Sequence, residues 1–282
     1  KKSKGYLALM LTGFILLSNM AGSIKVSAET KTEEIEIKQT EDSKYEIYPA
    51  PHKISYEEGN LSFSSGVNVI FESGIDNYTK SRLENEILKV HNISYEVSKT
   101  NEIANNKTNI LVGINGSGEV VDSYSRKYVI ETENLFDKTD SYFLAADKNV
   151  ITVLGRDTDS AFYGLTTLYH IFNQKNDDSI RNFKIEDYAN VVTRGFIEGY
   201  YGNPWSVQDR IDLMTYGGYY KLNAYFYAPK DDPKHRVQWR SLYTEDELKW
   251  IKQLADAGNA SKCRFVSVSY THLRAHETLA NL

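Results

Sequence analysis

Short apolar runs separated by turn residues occupy the sequence between residues 45 and 187. Residues 54–56 and 61–63 alternate apolar with polar positions on either side of Glu58-Gly59-Asn60, which predicts a β-hairpin. Three further apolar runs between turn residues predict strands at residues 110–113, 142–146 and 150–154. This part of the chain is therefore expected to be built around a β-sheet.

Helical spacing of apolar residues appears twice in the same region. It predicts one helix over residues 76–91 and a second over residues 157–172, with Thr158 or Asp159 as the N-cap of the second. Strands with helices returning to one face of the sheet are typical of α+β folds. We therefore expect a small α+β N-terminal domain over residues 45–187.

From residue 188 the pattern changes to strands that alternate with helices. Capping boxes that begin at Ser206 and Thr244 mark two helix starts, and Gly217-Gly218 and Gly258 are expected at the helix ends. Strands are predicted at residues 191–197 and 223–227 and from residue 264. Repeated βα units predict a truncated (β/α)8 TIM-type barrel over residues 188–266, with two βα units and the start of a third strand.

Composition and charge limit the classes of partner. The chain has 282 residues and a formal net charge of -5, which argues against a nucleic-acid-binding protein because such proteins need a basic face. Hydrophobic residues make up 41%, the proportion of a soluble globular protein. The single cysteine, Cys263, excludes an internal disulfide framework.

The first 44 residues resemble an export signal and a linker. Lysines at positions 1, 2 and 4 precede the apolar run LALMLTGFILL, and Val26-Ser27-Ala28 is a small-residue cleavage site. Residues 1–28 are therefore predicted to be a signal peptide, with a membrane anchor as the alternative, and the charged residues 29–44 a linker. The expected location is secreted or extracellular, with the cell surface as a second option and no membrane association after cleavage.

Candidate binding residues follow the first two strands of the predicted barrel, where ligands of parallel barrels are bound. The loop EGYYGNPW (198–205) supplies Gly199, Tyr200 and Tyr201, and the loop APKDDPKHR (228–236) supplies Lys230. Glycine lets a ligand approach the backbone closely, tyrosine rings suit the face of a sugar, and the lysine ammonium donates to hydroxyl groups.

The charged residues of these loops also allow other interpretations. Four charged side chains could simply form ion pairs at the rim of the barrel: Arg194, Glu198, Asp231 and Asp232. A metal site at Asp231, Asp232 and His235 fits no standard ligand spacing, so no metal and no cofactor are predicted. The glycine-rich segment 113–118 lacks the Gly-Lys-Ser/Thr ending of a phosphate-binding loop and is predicted to be a turn.

The segments RGFIEGYYGNPW (194–205) and YAPKDDPKHR (227–236) resemble the opening barrel motifs of glycoside hydrolase family 84. That family contains O-GlcNAc hydrolases and secreted bacterial enzymes once called hyaluronidases. YPAP (48–51) and the stretch from Gly155 to Leu165 are similar to the hexosaminidase-type domain that precedes the barrel in this family. The resemblance covers residues 45–266 and implies a secreted exo-β-N-acetylglucosaminidase acting on carbohydrates with terminal β-GlcNAc.

The resemblance implies a retaining, substrate-assisted mechanism in which the substrate's acetamido oxygen forms an oxazoline intermediate. By position, the Gly199 backbone and the Lys230 ammonium would meet the sugar hydroxyls, and Tyr200 and Tyr201 would shape the wall; the family often has Phe where Tyr200 stands. No catalytic residue is expected in this chain. The family's catalytic Asp pair closes a fourth barrel strand and is expected beyond Leu282, so the chain itself is expected to be inactive.

The sequence after Val266 departs from the family pattern. The string SVSYTHLRAHET (267–278) resembles an in-frame translation of a sequencing-library adapter, and residues 267–282 are expected to be a non-native tail. The alternative to a hydrolase is a non-catalytic glycan-binding module of a cell-surface protein.

Overall fold

The structure is a computed structural model that describes residues 44–175, 177–199, 204–230, 232–235 and 237–268. The predicted signal peptide, all of the linker but residue 44, and all of the tail but residues 267 and 268 lie outside the described residues. The described strands are β1 Lys53–Ser62, β2 Val67–Phe71, β3 Tyr95–Val97, β4 Thr108–Ile114, β5 Tyr142–Asp147, β6 Val150–Gly155, β7 Ser179–Asp187, β8 Gly195–Glu198, β9 Ala224–Tyr227 and β10 Arg264–Ser267. The described α-helices are α1 Asn77–Ser81, α2 Val120–Ser125, α3 Thr158–Phe172, α4 Val207–Gly218 and α5 Glu245–Ser261.

Residues 44–188, called the small domain below, form a seven-stranded mixed sheet in the order β1-β7-β5-β6-β4-β2-β3. Strands β6, β4, β2 and β3 pair in parallel, and β6, β5, β7 and β1 pair antiparallel. Side chains alternate between two faces, so that Leu144 joins the core under α3 while its neighbour Phe143 joins a second core with Val121 of α2. Helices therefore cover both faces of the sheet, whereas the sequence predicted helices on one face.

The hairpin prediction is wrong. Residues 53–62 form the single strand β1, which pairs with β7 along its length and shifts register between Tyr56 and Asn60. Gly59 lies in this irregular segment with φ +85°, a conformation that glycine adopts without a steric penalty. The turn-like residues therefore mark a bulge within one strand.

Both helices predicted in the small domain are present, with differences at their ends. Helix α1 begins after Asp76, whose carboxylate accepts from the Thr79 N–H at 2.7 Å, and the chain continues as a π-helical turn over Arg82–Leu88. Asp157, rather than Thr158 or Asp159, caps α3 by accepting from the Ser160 N–H at 2.8 Å.

Residues 194–268, called the second region below, contain a three-stranded parallel sheet in the order β10-β9-β8, with α4 and α5 between consecutive strands. The predicted capping boxes at Ser206 and Thr244 are both present. The predicted end at Gly258 is wrong, because α5 continues to Ser261 and Lys262 follows with φ +58°.

Gly258 has a packing role instead. A Cβ atom there would lie 2.7 Å from the Phe265 backbone nitrogen, so glycine lets α5 approach β10 closely. None of the helices in the described ranges is long and apolar enough to cross a membrane.

Candidate functional site

The two candidate loops begin side by side. Glu198, the last residue of β8, is in register with Tyr227, the last residue of β9, so both loops leave the same edge of the parallel sheet. Gly199 and Lys230 follow these ends, and both are exposed. A Cβ atom added at Gly199 would meet no atom of the described residues within 4 Å, which leaves room for a ligand against the backbone. We call this the candidate edge; the other two predicted residues, Tyr200 and Tyr201, lie outside the described residues.

Glu198 anchors the first loop. Its carboxylate is 1% exposed and accepts from Arg210 of α4 twice, from Nε at 3.0 Å and from Nη2 at 2.8 Å, and once from the Tyr225 hydroxyl. Burial alone would lower the pKa of Arg210, because it disfavours the charged guanidinium. The hydrogen bonds and the charge of the Glu198 carboxylate have the larger combined effect, and the pKa of Arg210 is raised. Glu198 therefore fixes the end of β8 to the following helix.

The rim ion pairs considered from the sequence take a different form. Glu198 pairs with Arg210, a partner that the sequence analysis did not identify, and Arg194 pairs with Asp140 of the small domain at 2.6 Å. Asp232 accepts hydrogen bonds from tyrosines, and Asp231 lies outside the described residues. Arg210 sits in the first turn of the helix that follows β8, and that proximity was the available signal for it.

Asp232 fixes the second loop. Its Oδ2 accepts from the Tyr227 hydroxyl at 2.9 Å and from the Tyr243 hydroxyl at 3.4 Å, and its Oδ1 accepts from the Lys234 backbone N–H at 2.8 Å. Burial first, and then the Asp232 charge, raise the pKa of both tyrosines, so their hydroxyls remain protonated donors. The Asp232 carboxylate thus ties the Lys230 loop to the end of β9.

His235 completes this cluster as a neutral ring. It is 3% exposed, its Nε2 lies 3.7 Å from Oδ2 of Asp232, and its ring meets Tyr227 edge to face. Burial lowers the pKa of His235 despite the neighbouring carboxylates. Within the described ranges there is no group of three or more His, Cys, Asp or Glu residues able to hold a metal ion.

A buried ion pair joins the small domain to the base of the second region. Lys221 precedes β9, and its ammonium donates to Asp187 at 2.9 Å and to the Tyr142 hydroxyl at 2.8 Å. His52 donates to the other carboxylate oxygen of Asp187 from its backbone and its ring. Burial lowers the pKa of Lys221, whereas Lys221 and the hydrogen bonds outweigh burial and hold the pKa of Asp187 below its usual range. No local sequence pattern indicates this pair.

Further charged contacts lie along the same boundary. Asp159 of α3 pairs with Lys262 at 2.9 Å and with Arg264 of β10. The guanidinium of Arg82 lies between two rings, 4.3 Å from the centre of Phe162 and 4.4 Å from that of Tyr219. These contacts set the N-terminal ends of β8, β9 and β10 against the small domain.

In the glycine-rich segment 113–118, strand β4 ends at Ile114 and the predicted turn follows it. Gly116 and Gly118 have φ +80° and +74°, and their N–H groups donate to the two carboxylate oxygens of Asp122. Glu72 accepts from the backbone N–H groups of Ile114 and Val121. The protein's own carboxylates therefore occupy the amide groups that a bound phosphate would need.

Both regions resemble parts of known glycoside hydrolases. The family model "Glycosyl hydrolase family 20, domain 2" matches residues 44–188, and the NAGidase model, described as beta-N-acetylglucosaminidase, matches residues 194–270. Protein O-GlcNAcase of Rattus norvegicus is 39% identical over 72 residues, which are 26% of this chain and 8% of that protein. This chain therefore spans less than a tenth of the length of that curated relative.

Solved structures give a longer alignment. CpGH84D superposes with a TM-score of 0.76 at 45% identity, over 79% of this chain and 37% of that one. The family 20 exo-β-N-acetylglucosaminidase of Vibrio harveyi superposes with a TM-score of 0.56 at 15% identity, over 78% of this chain and 35% of that one, which shows a shared fold. The chain thus belongs to the glycosyl hydrolases, with a family 20 domain 2 at residues 44–188 and a relationship to the family 84 type of β-N-acetylglucosaminidase.

Proposed function

We propose that this chain carries the sugar-recognition part of a retaining exo-β-N-acetylglucosaminidase that acts on GlcNAc-containing glycoconjugates. The observation that carries the proposal is the candidate edge, where Gly199 and Lys230 follow the adjacent ends of two parallel strands. Ligands of parallel α/β sheets bind at the C-terminal ends of the strands. The match of residues 194–270 to a β-N-acetylglucosaminidase model supports the choice of sugar.

The second region is proposed to be a sector of a (β/α)8 barrel. Its strands are parallel, they lie in sequence order, and a helix connects each consecutive pair. That is the repeating unit of such barrels, whose active sites are built from the loops after the strands.

Within this site the proposed tasks of the residues differ. The Gly199 backbone and the Lys230 ammonium bind sugar hydroxyls, and Tyr200 and Tyr201 shape the wall of the site, as the family resemblance implies. Glu198 and Asp232 hold these loops in place, because their carboxylates are already engaged by Arg210 and by tyrosines. Neither carboxylate is proposed as the catalytic acid.

The chemistry proposed for the whole enzyme is substrate-assisted. The acetamido oxygen of the substrate attacks the anomeric carbon while one aspartate orients the acetamido group. A neighbouring aspartate protonates the leaving oxygen and then activates the water that opens the oxazoline. Because the resemblance implies that this aspartate pair belongs to a fourth strand, hydrolysis by the 282-residue chain alone is not expected. The signal-like pattern of residues 1–28 supports a secreted location.

The proposal is tested by titrating the chain with N-acetylglucosamine and by following 4-nitrophenyl N-acetyl-β-glucosaminide for release of nitrophenol. We expect sugar binding without hydrolysis. The variant Lys230→Ala should bind roughly tenfold more weakly, the effect of losing a hydrogen bond to a charged group. The matched control Lys252→Ala removes an exposed lysine of α5 and should bind as the unchanged chain does. Equal affinity in Lys230→Ala, or turnover by the chain itself, would contradict the proposal.

A further inference from the structure

A cavity of about 510 Å³ lies at the junction of the small domain and the second region, and we call it the junction cavity. Its walls include Ala50, Tyr142, Tyr163, Tyr188, Arg194 and Lys221. Arg194 precedes β8, so the cavity lies at the opposite end of that strand from Gly199, roughly 13 Å away for four residues of a strand. Its volume falls in the range of small-molecule sites, about 300–1,000 Å³.

The charges around the junction cavity are already paired. Lys221 bonds to Asp187 at 2.9 Å, and Arg194 bonds to Asp140 at 2.6 Å. Two cations and two anions leave no net charge from these pairs, so the cavity offers no excess charge to an ionic ligand. A neutral ligand with hydroxyl groups fits this balance better than a phosphate or a carboxylate does.

Two buried donors at the cavity remain without an acceptor in the part of the chain that the structure describes. Tyr163 is 2% exposed, and its hydroxyl makes no hydrogen bond to any described residue. The Lys221 ammonium uses two of its three N–H groups, on Tyr142 and Asp187, and the third has no described acceptor. Buried donors normally have partners, so these two groups can donate to an acceptor inside the cavity.

The aromatic lining narrows the class of ligand. Three tyrosines, Tyr142, Tyr163 and Tyr188, are among the residues that line the walls. Tyrosine combines an apolar face with a polar edge, which matches the apolar face and hydroxyl rim of a pyranose ring. We propose that the junction cavity is a second, non-catalytic binding site for a neutral monosaccharide, held by the Tyr163 hydroxyl and the Lys221 ammonium.

The test follows the tyrosine rings of the full chain by NMR with ¹³C-labelled tyrosine, while N-acetylglucosamine and glucose are added separately. The Tyr163 signal is assigned by its disappearance in Tyr163→Phe. This variant loses no hydrogen bond to a described residue, so its melting temperature should be unchanged. We expect the Tyr163 signal to shift with at least one sugar, and Tyr163→Phe to bind that sugar roughly three- to tenfold more weakly, the effect of losing one neutral hydrogen bond.

Two further variants locate the binding. Ala50 is exposed at the cavity wall, so Ala50→Trp should block the cavity without unfolding the chain. Tyr216→Phe, at an exposed tyrosine of α4, should leave binding unchanged. Binding that persists in both Tyr163→Phe and Ala50→Trp but is lost in Lys230→Ala belongs to the candidate edge and overturns the inference while the proposed function stands. A Tyr163 signal that neither sugar shifts also overturns it, because the cavity then holds solvent only.

Discussion

The small domain and the second region are stabilised in different ways. In the small domain both faces of the sheet are buried, and side chains such as Phe143 and Phe183 are fully enclosed. Among the described residues of the second region, the buried core cluster is smaller and comprises Met214, Tyr225, Tyr227, Leu254 and Cys263, with partly buried apolar residues packed against it. Ile197 of β8 is 62% exposed and Leu248 of α5 is 50% exposed, so apolar surface in the second region remains in contact with solvent.

Charged contacts partly replace apolar burial where the two regions meet. Lys221 and Lys262 are almost fully buried at this boundary against carboxylates of the small domain, and Arg82 of the small domain is buried against the Tyr219 ring of the second region. A buried ion pair gives up hydration in both partners, so it depends strongly on the correct geometry. The comparison indicates that the small domain folds around its own core, whereas the second region depends on the small domain.

The largest effect is expected from a cavity in the small domain. Phe183→Ala removes a fully buried ring from β7 and should lower the free energy of unfolding by about 3–5 kcal/mol. Ile197→Ala, at an exposed position of the second region, should change it by less than about 0.5 kcal/mol. Denaturant titration of both variants checks this difference, and similar losses in the two would remove the contrast between the regions.

A somewhat smaller effect is expected at the boundary. Lys221→Met keeps the length of the side chain but leaves Asp187 buried without its cation, which should cost about 3 kcal/mol. Lys252→Met breaks an exposed pair with Asp256 and should cost less than about 1 kcal/mol. The same denaturant titration applies, and equal costs for the two lysines would show that the buried pair does not hold the regions together.

The smallest effect is expected from His170, which also bridges the regions. Its Nε2 donates to the Tyr219 carbonyl at 2.8 Å and its Nδ1 accepts from the Tyr48 N–H at 3.1 Å, so the ring is neutral. Burial lowers its pKa, although the Tyr219 carbonyl acts in the opposite direction, and the charges of Lys221 and Arg82 lower it further.

The unfolded chain therefore takes up a proton first as pH falls. The stabilisation from His170 is fully present above about pH 6.5, the ordinary histidine pKa, and is lost as pH drops from there through the lowered pKa of the folded protein. Between pH 7.5 and 5.5 the unchanged chain should lose more stability than His170→Gln does. Parallel pH dependences in the two proteins would contradict this assignment; His91 and His235, whose pKa values are also lowered, contribute equally to both.

Elements with strong local signals could be predicted from the sequence. The capping boxes at Ser206 and Thr244 and the apolar stripe of α3 depend on neighbours within one or two helical turns, and each appears in the structure. The strand β7 has charged residues among its apolar ones, and it was not predicted. The strands β2 and β3 were also not predicted, because they are only five and three residues long. The hairpin prediction failed because the strand partner is distant in sequence: β1 pairs with β7, more than a hundred residues away.

The candidate edge was partly predictable for a similar reason. Gly199 and Lys230 follow strand ends, a position that local pattern and family resemblance both identify. Of the partners that fix those loops, Arg210 has a sequence signal in its place at the start of the helix after β8, whereas Tyr243 follows only from the packed structure. The burial of Lys221 could not be predicted, because a lysine after a helix is ordinarily solvated and its partner Asp187 lies in another domain.

Native-state hydrogen exchange of the unchanged chain and Lys221→Met tests the dependence of the second region on the small domain most directly. The account predicts that Lys221→Met loses protection in the amides of β8, β9 and β10 while β4, β5 and β6 keep theirs. Loss of protection in both sheets together would contradict the account, because the small domain would then not be independently stable. No loss in either sheet would also contradict it, because the second region would then not depend on this contact.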